Sequence, residues 1–337
     1  MSVKKFKILT KPFVFLSGWR SLPTYEMLSY ILMYASVPML AYGINNYDSE
    51  VIKIIILTVL TMYSGFFAAL IWNDITDADI DAVSHPDRPI PSGRISKKKF
   101  FTIALIFSTM VFVFSTLVSI ICFSIVGFAA LFVTLHDKYL KKRVKIPAYS
   151  EIFTPVQWVV VAIFGFFAIW TAIPQKFDIL INIPLLGSIS TDNYSVLQMF
   201  ILILFTYFAD NAHDLPEGVS DFEGDKREGV RTYATSFGVK NASRISFFMF
   251  LVSGFFAFLL FYYTILSFVF LILFILIWIN ILRYSYKLLK SNDSNRKDLA
   301  KIVGRKGFDY FLMSYNLIFL DIIIQIILNH YGVSLIF

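Results

Sequence analysis

The sequence predicts an all-α polytopic membrane protein with nine transmembrane helices in one bundle, and three observations support this fold. First, 57% of the 337 residues are hydrophobic and only 16% are charged, whereas soluble domains are about 45–50% apolar and about 25% charged. Second, the apolar residues form long runs, each close to the roughly 20 residues that a helix needs to cross a bilayer core. Third, the basic residues are concentrated in alternate loops, which is the distribution that membrane topology imposes.

The nine runs divide the whole of residues 1–337 into one predicted membrane domain. Two pairs of spans are predicted to form helical hairpins, because only Ser115–Ser119 and Tyr262–Thr264 separate their members. The basic and aromatic segment 1–24 is predicted to lie along the membrane surface before the first span. The predicted spans are 27–43, 51–72, 100–117, 119–135, 152–173, 196–213, 243–262, 265–286 and 310–329.

The distribution of Lys and Arg predicts which side of the membrane each loop occupies. Of the 30 basic residues, 28 fall in the N-terminal segment and in the loops of one side, and only Lys53 and Lys176 fall on the other side. Positive residues remain cytoplasmic, so the N-terminus is predicted inside and the C-terminus outside. The net charge of +7 is therefore a topology signal, and no nucleic-acid partner is predicted. The single cysteine, Cys122, excludes a disulfide framework.

The first of two acidic segments, NDITDADID, begins at Asn73 and directly follows the second predicted span. Since a helix turns about 100° per residue, Asn73, Asp77 and Asp81 share one face, with Asp74 at its edge and Asp79 pointing elsewhere. Carboxylates that crowd together at a helix C-terminus repel one another and oppose the helix dipole. A bound cation would offset both effects, so this spacing predicts a metal site.

The second acidic segment, SDFEGD, follows the sixth predicted span on the same side of the membrane. Asp221 and Asp225 share a helical face, and Asp221 follows Asp77 by 144 residues. One such pair alone is commonly a solvated acidic loop, but two matched sets favour a metal. Oxygen ligands without His or Cys favour Mg²⁺ or Mn²⁺ over zinc. Because Mg²⁺ completes its shell with phosphate oxygens, two facing sets predict a bridging diphosphate.

Basic residues near the acidic segments can bind the same anion. Arg88 lies in HPDRPIPSGRIS after the first segment, Lys141 lies in the 136–145 loop, and Arg231 follows the second segment. Fixed cations beside a diphosphate leaving group neutralise its developing charge. Topology alone accounts for most of the loop cations, and Arg88 and Lys141 are the strongest exceptions.

These segments resemble the motifs of the UbiA superfamily of intramembrane prenyltransferases. NDITDADID fits the family's NDxxDxxxD motif, the pair Asp221 and Asp225 fits its DxxxD motif, and HPDRPIPSGRIS and EGDKREGVRT extend the match. The resemblance covers the whole chain, because the family also has nine spans with both motifs on cytoplasmic loops. It implies that an isoprenyl diphosphate is bound through Mg²⁺, ionised to an allylic carbocation and joined to a lipophilic acceptor within the bilayer.

The resemblance also assigns roles by motif position. It implies that one magnesium ion is held by the first motif and the other by the second, and that Tyr139 stands in for a family tyrosine whose own place holds His136. A further aspartate that is common in the second motif is replaced by Gly218. The predicted catalytic residues are Asp77, Asp81, Asp221 and Asp225; the metal ligands are these four with Asn73 and Asp74; the diphosphate-binding residues are Arg88, Lys141, Arg231 and Tyr139. The roles of Asp210, His213 and Asp214 stay open.

The acceptor is less well defined than the reaction. PDRPIPSGRIS looks most like the digeranylgeranylglyceryl phosphate synthases or the chlorophyll synthases, whereas TYATSFG at residues 232–238 looks more like carotenoid-elongating members. These similarities favour geranylgeranyl transfer to a glycerol-phosphate ether lipid, with a quinone precursor, chlorophyllide or a carotenoid as alternatives. Thirty-seven Phe and 18 Tyr provide ring faces that can stabilise a carbocation.

Two other classes of function are weaker alternatives. A CDP-alcohol phosphotransferase also uses two metals, but it would carry all its aspartates in one segment that starts with DGxxAR. A cation transporter would carry ionisable residues in mid-span, and Asp321 is the only acid deep in a predicted span. A hydrogen bond from Asp321 to a neighbouring helix accounts for that position equally well.

Overall fold

The computed structural model describes residues 24–84, 86–140, 143–173 and 178–331, and nearly all of them are helical. The predicted surface segment 1–24 lies outside the described residues except for Thr24, which begins the first helix. The helices are α1 (Thr24–Tyr42), α2 (Ser49–Thr76), α3 (Ala78–Ser84), α4 (Lys97–Val118), α5 (Ile120–Leu135), α6 (Tyr149–Phe153), α7 (Val156–Ala172), α8 (Asn193–Ser220), α9 (Phe222–Glu228), α10 (Tyr233–Phe237), α11 (Val239–Tyr263), α12 (Phe268–Leu289) and α13 (Asp293–His330).

The helices account for all nine predicted spans. Each span falls largely within one helix, except the fifth, which falls within the consecutive helices α6 and α7. In the described part of the chain, seven helical segments are long and apolar enough to cross a membrane, and they are α2, α4, α6 with α7, α8, α11, α12 and α13. The apolar helix α5 has only 16 residues. The helical membrane fold is therefore confirmed, while the number nine stays a prediction.

Serine caps form the tight connections of both predicted hairpins. Ser119 has extended backbone between α4 and α5, and its hydroxyl accepts a hydrogen bond from the Cys122 amide at 3.1 Å. Between α11 and α12, the Ser267 hydroxyl accepts from the Val269 amide at 3.1 Å. A side-chain acceptor at a helix start satisfies amides that have no partner within the helix, so both chain reversals need almost no loop.

An antiparallel β-hairpin joins α7 to α8, and the sequence analysis did not predict it. Strand β1 (Ile179–Ile183) pairs with β2 (Gly187–Thr191), with Ile179 opposite Thr191. The strands are only five residues long, and the alternation of apolar and polar residues is interrupted in both. The strands therefore lack the alternation that would predict them from the sequence. Pairing the two segments satisfies their backbone N–H and C=O groups.

The helices pack into one bundle in which α7 and α13 hold the two halves together. Helix α7 packs against α1, α2, α5 and α8, and α13 packs against α1, α8 and α12. As a result, α2 and α8, which lead into the two acidic segments, both contact α1 and α7. The core that they share is rich in aromatic side chains, including the fully buried Tyr34, Phe164, Phe205, Phe311 and Tyr315.

Candidate active site

The first acidic segment preserves helical spacing across a break between two helices. Helix α2 ends at Thr76, and Asp77 caps it with φ −96° and ψ 7°. The Asp77 amide still donates to the Asn73 carbonyl at 2.9 Å, and the Asp81 amide donates to the Asp77 carbonyl at 2.8 Å. The chain therefore continues nearly helically into α3, and residues four apart remain stacked on one face.

Two sets of side-chain contacts organise this segment, one between Asn73 and Asp77 and one that joins Arg88 to Asp81 and Asp74. The Asn73 amide nitrogen donates to Asp77 Oδ2 at 2.9 Å. Arg88 Nη1 donates to Asp81 Oδ1 at 2.6 Å and lies 3.9 Å from Asp74 Oδ1. Asp74 is only 1% exposed and Asp81 only 3%. Asp74 is therefore a buried member of the site together with Asp81, although the helical projection placed it only at the edge of the acidic face.

Asp79 differs from these residues in its exposure. Its side chain is exposed, whereas those of Asp74 and Asp81 are buried and those of Asn73 and Asp77 are half-buried. The structure thus separates the acidic residues of the segment in the way that the helical projection predicts.

The second acidic segment repeats the local structure of the first. Helices α2 and α8 each have 28 residues, and each is followed by a capping aspartate and a seven-residue helix. The caps have almost the same backbone angles, since Asp221 has φ −99° and ψ 6°. Both long helices also begin at an aspartate cap, Asp48 for α2 and Asp192 for α8. A shift of 144 residues relates both pairs of caps, so the two halves of the candidate site are copies of one structural unit.

The two copies differ in exposure. Asp221 is exposed and Asp225 is half-buried, in contrast to the buried Asp74 and Asp81. The Ser220 hydroxyl donates to Asp221 Oδ1 at 2.9 Å, and the Asp225 amide donates to the Asp221 carbonyl at 3.0 Å. The second set therefore faces the solvent side of the site.

Aromatic rings from α1, α2, α7 and α13 form a cluster in the bundle. The ring centroid of Tyr30 lies 4.4 Å from that of Phe66 and 5.9 Å from that of Trp158. The Trp158 ring lies 5.5 Å from Phe311 and 6.4 Å from Phe308. At 1.5 Å per residue, Phe66 is roughly 12 Å along α2 from Asp74, the first acidic residue of the segment. The sequence analysis singled out none of these rings, because only packing distinguishes them from the other aromatic residues.

A buried group of acids and imidazole lies beside this cluster on α8. His213 Nε2 is 2.9 Å from Asp210 Oδ1, and His213 Nδ1 is 3.5 Å from Asp214 Oδ1. The His213 ring also lies 5.1 Å from the ring of Phe308. Among the described residues, the second oxygens of Asp210 and Asp214 are buried without a hydrogen-bond partner. The imidazole contacts Asp210 at hydrogen-bonding distance and lies at ion-pair distance from Asp214, which is an arrangement that can hold a proton within the bundle.

The predicted diphosphate-binding residues have diverse surroundings. Arg88 lies against the first acidic set, as described above. Tyr139 is exposed on a π-helical turn at His136–Leu140, where the Arg143 guanidinium lies 5.8 Å from its ring centre. Arg231 Nη1 donates to the Lys145 carbonyl at 2.6 Å, so part of its guanidinium fastens the α5–α6 connection to the second acidic segment. Lys141 lies outside the described residues.

Gly218, three residues before Asp221, is covered by a carboxylate from another helix. A Cβ atom at Gly218 would lie 2.2 Å from Glu151 Oε1. The other carboxylate oxygen, Oε2, accepts a hydrogen bond from the Tyr233 amide. Burial, together with the nearby Tyr207 and Glu151 side chains, raises the pKa of Tyr233 to about 12. No local sequence pattern indicates this contact, because 67 residues separate Glu151 from Gly218.

The donor atoms of the first set suit a hard divalent cation. They are one amide oxygen and several carboxylate oxygens, without thiolate or imidazole, which is the chemistry that Mg²⁺ and Mn²⁺ prefer. Asp81 Oδ2 is buried and has no hydrogen-bond partner in the described part of the chain. A buried carboxylate oxygen without a partner is costly unless a cation or donor approaches it, so the residues present fit a metal.

Curated relatives of this chain are named digeranylgeranylglyceryl phosphate synthase. The enzyme of Methanosphaera stadtmanae is 26% identical over 280 residues, which are 83% of this chain and 89% of that enzyme. The enzyme of Saccharolobus solfataricus is also 26% identical, but the match covers 58% of this chain and only 61% of that enzyme's length.

Solved structures share the fold. An apo UbiA homolog from Aeropyrum pernix aligns with a TM-score of 0.65 and 17% identity, over 89% of this chain and 98% of that one. The structure of a digeranylgeranylglyceryl phosphate synthase in membranes aligns with a TM-score of 0.59 and 20% identity, over 88% of this chain and 92% of that one. The UbiA prenyltransferase family model matches residues 31–313, most of the chain. Both acidic segments lie inside the matched region, and on this evidence the chain belongs to the UbiA prenyltransferase family.

Proposed function

We propose that this protein transfers an isoprenyl group from an isoprenyl diphosphate to a lipophilic acceptor at the cytoplasmic side of the membrane. The observation that carries the proposal is the duplicated unit, in which a 28-residue helix ends at a capping aspartate and is followed by a seven-residue helix that carries a second aspartate four residues later. Two such sets at the ends of α2 and α8 provide oxygen ligands on both sides of one anionic substrate.

The proposed diphosphate position is beside the two acidic sets. Mg²⁺ or Mn²⁺ bound there would neutralise the diphosphate and favour its departure from the allylic carbon. Asn73, Asp77 and Asp81, with Asp74, would hold one ion, and Asp221 and Asp225 would hold the other. Arg88 positions Asp81 and Asp74 through its contacts with both carboxylates, and it adds a fixed positive charge near the leaving group.

The proposed position of the prenyl chain is along the aromatic cluster. Phe66 lies about two helical turns along α2 from the first acidic set. The Tyr30 ring packs beside the Phe66 ring, and the Trp158 ring packs beside the Tyr30 ring. Aromatic faces attract a cation where water is excluded. A substrate whose diphosphate lies at the acids would therefore place its allylic carbon and its apolar tail next to ring faces.

The acceptor that we favour is a glycerol-phosphate ether lipid, with geranylgeranyl diphosphate as the donor. The curated relatives named digeranylgeranylglyceryl phosphate synthase support this choice, together with PDRPIPSGRIS at residues 86–96. Formation of the ether bond releases a proton from the acceptor hydroxyl. The pair His213 and Asp210 lies beside the aromatic cluster, and it is suited to accept that proton.

The test is turnover by purified full-length protein in lipid, with labelled geranylgeranyl diphosphate and separate candidate acceptors. We expect a labelled product with geranylgeranylglyceryl phosphate, loss of turnover on chelation, and recovery with Mg²⁺ or Mn²⁺. A product formed with a quinone precursor, chlorophyllide or a carotenoid instead would overturn the proposed acceptor but support the proposed reaction. Turnover that is unaffected by complete metal removal would contradict the proposed mechanism.

A further inference from the structure

The second acidic set lacks a carboxylate that the first set has. The shift of 144 residues that pairs the capping aspartates also pairs Asp74 with Gly218. Asp74 is 1% exposed and lies 3.9 Å from Arg88 Nη1, so in the first unit this position contributes a buried negative charge. The glycine contributes no side chain, and the duplicated unit is therefore incomplete in its own sequence.

Glu151 places a carboxylate where the second unit lacks one. Its Oε1 lies 2.2 Å from the position that a Cβ of residue 218 would take, about the separation between Cβ and a carboxylate oxygen within an aspartate side chain. Glu151 is 6% exposed. A side chain at position 218 and the present conformation of Glu151 exclude each other sterically, so the glycine and the glutamate form a matched pair.

The helix that carries Glu151 is fixed to the chain that follows the second acidic set. The Ser150 amide donates to the Arg231 carbonyl at 3.2 Å, and the Ala148 amide donates to the Ser236 hydroxyl at 2.8 Å. The Glu151 carboxylate itself accepts from the Tyr233 amide. These bonds hold α6 against α10 and the residues that precede it, and they fix the position of the Glu151 carboxylate beside α8.

We propose that Glu151 is the missing carboxylate of the second acidic set, and that it supplies to the metal site at Asp221 and Asp225 the negative charge that Asp74 supplies to the first. This inference rests on the proposed function, because it assigns Glu151 to a divalent cation. The carboxylate is contributed by α6, a helix outside both duplicated units.

The test measures Mn²⁺ binding to the full-length protein in detergent with and without an isoprenyl diphosphate, alongside the melting temperature of the metal-free protein. Glu151→Gln keeps a hydrogen-bond acceptor for Tyr233 but removes the charge. We expect an unchanged melting temperature and a Mn²⁺ affinity about 10–100-fold weaker, the range found for residues that support metal ligands. Glu223→Gln, at an exposed acid of α9, is the matched control and should bind as the wild type does.

A relocation experiment tests the pairing itself. Glu151→Ala should weaken Mn²⁺ binding, and addition of Gly218→Asp to that variant should restore it, because the vacated space accepts the new side chain. Gly218→Asp alone should lower the melting temperature through the clash. Wild-type Mn²⁺ affinity in Glu151→Gln, or no recovery in the double variant, would overturn the inference and leave Glu151 as a structural cap of α10. A wild-type protein that binds no Mn²⁺ would instead overturn the proposed function, and this inference with it.

Discussion

Asp77 and Asp79 are two residues apart, yet the structure gives them opposite surroundings. Asp77 caps α2 and accepts a hydrogen bond from Asn73, whereas Asp79 is exposed. We predict that Asp77→Asn lowers turnover by on the order of 10²–10³-fold, the loss typical when one electrostatic contact to a leaving group is removed. Asp79→Asn is the control, because it makes the same chemical change in the same helix turn, and its turnover should equal that of the wild type. Equal losses in both variants would refute the division of the segment into two faces.

Single residues also show what the sequence could and could not reveal. The exclusion of Asp79 followed from a rotation of about 100° per residue, which needs no tertiary information. The burial of Asp74 and its approach to Arg88 required knowledge of the path of residues 86–96, which form turns and not a regular element. The contact between Glu151 and Gly218 joins α6 to α8, and no local pattern reports a contact between separate helices.

Asp321 on α13 caps the start of the neighbouring helix α12. Its carboxylate on α13 accepts hydrogen bonds from the Ser267 amide at 2.8 Å and the Phe270 amide at 3.2 Å, both at the start of α12. The carboxylate is thus a helix cap supplied from a neighbouring helix, where the positive end of the helix dipole also favours it. This contact is the structural role that the sequence analysis set against a transport role for Asp321.

We predict that Asp321→Ala destabilises the protein by about 1–3 kcal/mol for each amide that is left buried without an acceptor. The measurement is the melting temperature in detergent, and turnover per folded molecule should be unchanged. Asp298→Ala, at an exposed acid on the same helix, should leave the melting temperature unchanged. A loss of turnover without a loss of stability in Asp321→Ala would assign Asp321 to function instead.

The packing of α8 on α13 depends on glycine. A Cβ at Gly307 would lie 2.6 Å from His213 Cβ and 3.2 Å from His213 Cα, so backbone as well as side chain would have to move. We predict that Gly307→Ala lowers stability by about 1–3 kcal/mol through overpacking. Gly127→Ala, at a helical glycine with nothing within 4 Å of the added Cβ, should be neutral or stabilising, as alanine favours helix. The melting temperatures of both variants test this prediction, and equal shifts in the two melting temperatures would contradict it.

At the scale of the whole molecule, the sequence predicted the architecture more fully than the site. Long apolar runs predicted the helices, because the thickness of a bilayer core sets the length of a membrane-spanning helix. The two acidic motifs predicted the family. The predicted membrane fold, the family and its enzyme class, a prenyltransferase, are confirmed. The hairpin β1–β2 was missed because its two strands have only five residues each and lack a regular alternation of apolar and polar residues. The aromatic cluster was missed because 55 Phe and Tyr residues cannot be ranked without packing.

The orientation in the membrane is a prediction of the whole chain and can be tested with single cysteines. Cys122 is the only cysteine in the sequence and is buried, so the wild type serves as the background for a membrane-impermeant thiol reagent. In intact cells we predict labelling of Asn46→Cys, which is exposed between α1 and α2, and no labelling of Glu228→Cys until the cells are opened. The reverse pattern would invert the topology, because 28 of the 30 basic residues would then lie outside.

The unequal burial of the two acidic sets predicts different rates of ion exchange at the two sets. Asp74 and Asp81 are almost fully buried, while Asp221 is exposed to solvent. An ion held by buried carboxylates exchanges slowly with water, whereas one held at an exposed carboxylate exchanges quickly. With ions held as proposed, the residues around Asp81 would retain their ion longer than Asp221 and Asp225 would, and the more open exit for pyrophosphate would lie past Asp221. The same structural unit, used twice with different exposure, would thus give one half-site that retains its ion and one that exchanges it readily.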